Sequence, residues 1–198
     1  VEAAVVAILS GRPRENTIDY ALRTFDRYAP PGSDKERDLI VPMIDAALTE
    51  LEQYGAPEFI GDGQDKISID AVFDGWSIPV IGYLDMVFPD HGLVVDLKTT
   101  TRVPSTMSPD HQLQRAIYAR AKGNMTVRFL YTSGKRSQWL EDGDPAFLLA
   151  QAKVQNARMD AFLRACPDAD AARAIVPTGP FSFYWRGAEA LRNELYGV

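Results

Sequence analysis

Gly82–Thr99 reads GYLDMVFPDHGLVVDLKT, two short apolar runs on either side of a turn. Pro89-Asp90-His91-Gly92 carries the turn residues, and Leu93–Thr99 after it has the length of a strand. Strand side chains alternate between faces, so Asp96 and Lys98 share one face and Leu93, Val95 and Leu97 take the other. Asp85 lies at the end of the neighbouring strand, across the Pro89–Gly92 turn, and hairpin pairing could bring it beside Asp96.

Upstream, Ile67–Phe73 and Trp76–Leu84 read as two further strands joined at Asp74-Gly75, with Pro79 signalling an edge or a bulge. Downstream, Ser108-Pro109 opens a helix that runs to about Lys122. Met125–Tyr131 is the fourth strand and Arg136–Leu140 a fifth. Helices lie outside this core. Glu2–Ser10 is closed by Gly11, and Asn16 caps a second helix to Tyr28. Ser33 and Glu36 make a capping box for a third helix, which Pro42 kinks or divides before Tyr54. Asp144 caps a helix to Ala165, and Glu189–Leu195 is a last short one. The expected fold class is α/β (α+β), a mixed central sheet flanked by helices with an N-terminal helical segment. A single domain over 1–198 is expected, helical over 1–56, catalytic over 57–140 and helical again over 141–198.

Composition excludes several classes. In 198 residues the apolar share is 46%, too high for a disordered chain. One cysteine, Cys166, cannot build a disulfide framework and reads as a core residue. There is no apolar run of membrane-spanning length and no leader-like start, so a cytoplasmic-type compartment is expected, with no membrane partner. The net charge of -6 is unevenly spread. Residues 1–96 carry 7 basic and 18 acidic side chains, whereas 97–136 carry 8 basic and one acidic. Screening limits distant charge to about 10 Å, so this block can face phosphates in an acidic protein. It reads equally well as scattered solvated charge. Zinc, zincin, EF-hand, nucleophile-elbow, dinucleotide and P-loop spacings are all absent.

The chemistry therefore rests on few residues. Two adjacent carboxylates, Asp85 and Asp96, repel each other, and a hard divalent cation such as Mg²⁺ or Mn²⁺ is a natural third partner. Lys98 can then hold a water or a phosphate oxygen, the arrangement for metal-assisted phosphodiester hydrolysis. On the next helix His111, Gln114 and Tyr118 fall on one face, with Leu113, Ala116 and Ile117 expected on the opposite, core-facing side. That polar face can contact phosphate or Lys98, or can simply be solvated.

Taken together, Gly82-Tyr83-Leu84-Asp85, Asp96-Leu97-Lys98-Thr99 and Gln114-Arg115-Ala116-Ile117-Tyr118 resemble the motifs of the PD-(D/E)xK nuclease superfamily, in its RecB-like exonuclease branch. The resemblance implies a restriction-endonuclease-like core. It implies that Asp85, Asp96 and the Leu97 backbone carbonyl bind Mg²⁺ or Mn²⁺, that Lys98 is the catalytic lysine, and that Gln114 and Tyr118 support the site. Thr99, Arg102, His111 and Arg115 are candidate substrate contacts.

Two departures from the family pattern matter. Many members place a metal-ligating His upstream, and none precedes Asp85 here. Glu2 is the favoured substitute, with Glu50 or Glu52 as the fallback. Iron–sulfur members carry late cysteines where this chain has Phe181–Trp185, so no cluster is expected. Trp76, Tyr131 and Trp139 are candidates to stack bases or to fill the core.

The implied function is a metal-dependent DNA exonuclease of phage, repair or recombination type, working in a bacterial or phage-infected cell. A homo-oligomer or a recombination or helicase partner is compatible with it. The alternatives are a structure-selective endonuclease on the same fold and a non-catalytic DNA-binding module.

Overall fold

The computed structural model describes residues 1–58, 67–68, 75–168, 170–171 and 189–196. Its elements are three helices, α1 (Glu2–Leu9), α2 (Arg14–Tyr28) and α3 (Asp34–Leu51), then strands β1 (Ile67–Ser68), β2 (Tyr83–Leu84), β3 (Met86–Phe88) and β4 (Leu93–Thr99). Helix α4 (Pro109–Ala121), strands β5 (Thr126–Thr132) and β6 (Ser137–Leu140), and helices α5 (Pro145–Ala165) and α6 (Glu189–Tyr196) follow. The fold is a mixed α/β arrangement, a four-stranded sheet flanked by helices and preceded by helices.

The sheet order is β3-β4-β5-β6. β4 and β5 are parallel, with α4 as their crossover, and the two outer pairs are antiparallel. β4 is interior to the sheet and covered on both faces, which is why it is apolar on both: Val94 and Val95 are each fully buried. Leu93, Val95 and Leu97 join a core with Val5 of α1 and Ile44, Leu48 and Leu51 of α3. Val94 joins a second core with Val127, Phe129 and Tyr118, on the side of α4. Each such side chain contributes about 1.5–3 kcal/mol by leaving water.

Several boundaries differ from those expected. α2 begins two residues before Asn16, after Pro13, and the Thr17 hydroxyl donates to the Pro13 carbonyl. α3 starts after Ser33, but the Ser33 hydroxyl donates back to Pro30, so the capping box is not formed. Pro42 leaves α3 continuous to Leu51. Trp76–Leu84 is not one strand. The Asn156 side chain takes the Ser77 and Ile78 N–H groups and donates to the Ile78 carbonyl, so a side chain satisfies the backbone there. β1 pairs with β2, Ile67 opposite Leu84, while the rest of the expected 67–73 strand and the Phe181–Trp185 segment lie outside the described residues. Cys166 is half-buried rather than a core residue.

The chain divides into two compact units, Val1–Phe73 with Pro79–Ala152, and Asp74–Ile78 with Lys153–Val198. The N-terminal helices and the sheet thus share a unit. Among the described residues no helix is long and apolar enough to cross a membrane.

Candidate metal centre and substrate cleft

Asp85 and Asp96 are brought together by the β3–β4 hairpin. Met86 pairs with Val95, and Asp85 is the next residue outward, where the β3 ladder stops. Its Oδ2 accepts the Leu97 N–H at 2.8 Å, in place of a strand carbonyl. A strand residue sends its N–H and C=O to the same edge. The Leu97 carbonyl therefore faces the edge that Asp85 occupies.

Asp96 is 1% exposed, and a carboxylate so buried requires partners. Lys98 Nζ lies 2.6 Å from its Oδ1, and Gln114 Nε2 donates to its Oδ2 at 3.1 Å. The same amide nitrogen donates to the Tyr118 hydroxyl at 2.8 Å, which donates to the Tyr83 carbonyl at 2.7 Å. A continuous chain of hydrogen bonds thus ties β4 through α4 to β2. Gln114 and Tyr118 face the sheet and Tyr118 is part of the core, which corrects the expectation that they lie opposite the core; Ala116 is buried and Ile117 packs against the core as expected. An amide and a phenol can lie inward because Asp96 and the Tyr83 carbonyl supply their partners.

The electrostatics suit a cation. Burial, then the charge of Asp96, then that of Glu2 push the Asp85 carboxyl up to about 7, against the opposing Leu97 N–H and Lys98. Of the three upstream candidates, Glu2 is the one whose charge reaches Asp85. The Glu50 carboxylate instead accepts the Trp139 indole N–H at 2.8 Å, which also assigns Trp139 to packing, and Glu52 lies in an exposed 3₁₀ turn. Among the described residues no group of three His, Cys, Asp or Glu side chains is gathered around one point. Two carboxylates and a carbonyl still fit Mg²⁺ or Mn²⁺, since Mg²⁺ is commonly held by one or two carboxylates, with waters and substrate phosphates completing the shell.

Beyond Lys98 a cleft of about 680 Å³ opens between the end of β4, the 100–108 loop and the start of α4. Lys98, Thr99, Arg102 and His111 all line it. The Lys98 ammonium stands 5.2 Å from the Phe129 ring centre. Burial, then the Lys98 charge, lowers the His111 pKa, and its Nδ1 shares a hydrogen bond with the Tyr131 hydroxyl. Arg115 is not among the cleft residues. Its Nε donates to the Val127 carbonyl at 2.9 Å and its guanidinium lies 3.8 Å from Glu141. Arg128 also pairs with Glu141, at 2.6 Å, so part of the basic block serves the sheet.

The role of Tyr131 beside His111 was missed from the sequence, although the parallel register that pairs Lys98 with Tyr131 carries it. Asp142 and Gln112 were missed as well; they bind the Met107 N–H and carbonyl at 2.8 and 2.9 Å and fix the far end of the loop. No local motif marks those two contacts. Comparison of the chain with protein-family models, with curated proteins and with solved structures finds no match.

Proposed function

We propose that this chain is a Mg²⁺- or Mn²⁺-dependent DNA exonuclease of the PD-(D/E)xK type, hydrolysing phosphodiester bonds at the Asp85–Asp96–Lys98 cluster. The observation that carries the reading is the convergence of two carboxylates, one of them pushed up to about 7 chiefly by burial and then by the other's charge, with a lysine 2.6 Å from the second. Asp85, Asp96 and the Leu97 carbonyl would hold the ion, with Glu2 nearby. A divalent cation there supplies charge neutralisation for the phosphate and a lowered pKa for bound water.

The chain's own residues do the rest. Lys98 presents an ammonium both to Asp96 and to the cleft, so it can orient the attacking water or balance charge gathering on the phosphate. Gln114 fixes the orientation of the Asp96 carboxylate, and Tyr118 fixes Gln114. Arg102 and Thr99 line the way in and suit a phosphate backbone.

The absence of a third gathered ligand among the described residues favours a second reading, a DNA-binding module without catalysis. Incubation of linear and closed circular DNA with Mg²⁺, Mn²⁺ or EDTA separates the readings. Metal-dependent loss of linear DNA alone supports the exonuclease. Cutting of the circle supports an endonuclease, and binding without cleavage supports the module.

A further inference from the structure

We propose that the cleft beyond Lys98 is a subsite for a single-stranded segment of DNA, in which His111 Nε2, oriented by Tyr131, and Arg102 grip one backbone phosphate. This deepens the nuclease reading and rests on it, since it names the form of substrate that the same site takes.

Three observations carry it. The first is the chemistry of the walls. Lys98, Thr99, Thr100, Arg102, Ser108 and His111 supply cations and hydroxyls, and no carboxylate occurs among the described residues lining the cleft. In a chain with a formal charge of -6, such a lining is selective for an anion.

The second is preorganisation. The Thr100 N–H donates to the Thr132 carbonyl, and its hydroxyl donates to the Arg102 carbonyl at 3.0 Å while accepting the Arg102 N–H at 3.3 Å. At the other end of the loop, Asp142 and Gln112 hold Met107. Tyr131 is buried, and its phenol is pushed up to about 12, chiefly by burial, so it keeps its proton and can donate to His111 Nδ1. With Nδ1 accepting, a neutral imidazole carries its N–H on Nε2, the atom left for a ligand in the cleft.

The third is size. About 680 Å³ lies within the ~300–1,000 Å³ range of sites that enclose one small molecule, the scale of one or two nucleotides. One helical turn of duplex, ~34 Å long and bearing grooves ~12 and ~6 Å wide, is far larger than this space. The cleft is continuous with Lys98, so a strand whose scissile phosphate meets the two aspartates would continue into it.

The test is binding of a fluorescent single-stranded oligonucleotide to the metal-free protein in EDTA at low salt, with a methylphosphonate placed at each phosphate in turn. Wild type should bind the single strand at least about tenfold more tightly than a blunt duplex of equal length. One methylphosphonate position should weaken wild-type binding by about tenfold, on the scale of a charge-assisted hydrogen bond. The same modification should have no further effect in His111→Ala. His111→Gln, which restores an N–H donor, should regain sensitivity at that position, and Tyr131→Phe should lose part of it. A merely structural His111 would weaken all oligonucleotides alike, with the modified position still felt. That result, equal affinity for blunt duplex, or no single-strand binding by wild type, overturns the subsite. Metal-dependent cleavage by the same wild-type protein would then leave the nuclease reading standing; absence of both binding and cleavage removes both.

Discussion

The Asp85 carboxylate accepts the Leu97 N–H across the β3–β4 hairpin, one residue past the last paired position of β3. Asp85 thereby ends the short strand and stands at the carbonyl edge of Leu97, beside buried Asp96. Its carboxyl is held at about 7 by burial and by two neighbouring carboxylates. The unfolded value is about 3.9, so the folded metal-free chain retains a proton that the unfolded chain loses between those values. Stability of the metal-free protein should fall as pH rises from about 4 to about 7 and stay low above that. Asp85→Asn, which keeps an acceptor for Leu97, should remove most of this fall and raise Tm at pH 8 by at least about 3 °C, given ~2–4 °C per kcal/mol at this size. Thermal melts in EDTA at pH 5 and pH 8 check it, and a variant that follows the wild-type pH profile contradicts it.

Metal should reverse that instability. At pH 8, Mn²⁺ at one hundred times its Kd should stabilise the wild type by about 2.7 kcal/mol. Asp85→Asn and Asp96→Asn should lose the effect. Melting temperature against Mn²⁺ concentration measures it, with Ca²⁺ as a second hard cation.

Glu2 and Glu50 should part company in the same titration. Glu2→Gln should weaken Mn²⁺ binding by about tenfold, about 1.4 kcal/mol, because its charge reaches Asp85. Glu50→Gln should leave metal affinity unchanged while altering the Trp139 contact. The reverse order would assign the upstream ligand to Glu50.

The Tyr118 hydroxyl links Gln114 to the Tyr83 carbonyl inside the core. Tyr118→Phe leaves that carbonyl without its donor and should cost about 1–3 kcal/mol in stability, read by urea unfolding. Gln114→Ala should lower kcat more than it raises KM, since Gln114 acts on Asp96 rather than on the cleft.

Much of this arrangement can be read from residue order. β4 follows from LVVDLKT after a turn, and α4 from Ser108-Pro109, where the Ser108 hydroxyl accepts the His111 N–H as its cap. Asp144 likewise caps α5 through the Ala146 and Phe147 N–H groups. What sequence order does not carry is the long-range partner. Arg115 sits inside the helix motif, yet Val127 and Glu141 hold it, and nothing near Arg115 in sequence announces either. The shortening of the strand before Gly82 depends on Asn156, 78 residues beyond Ile78. Polarity alone misplaces Gln114 on α4, because a buried carboxylate draws its amide inward.

The most direct test of the central claim is cleavage of end-labelled linear DNA by wild type and Lys98→Ala, each with Mn²⁺ and with EDTA. The account predicts Mn²⁺-dependent loss of label by wild type, with the rate reduced at least about a hundredfold in Lys98→Ala, about 2.7 kcal/mol of transition-state stabilisation. Wild-type cleavage that persists in EDTA, or that Lys98→Ala leaves unchanged, would contradict it.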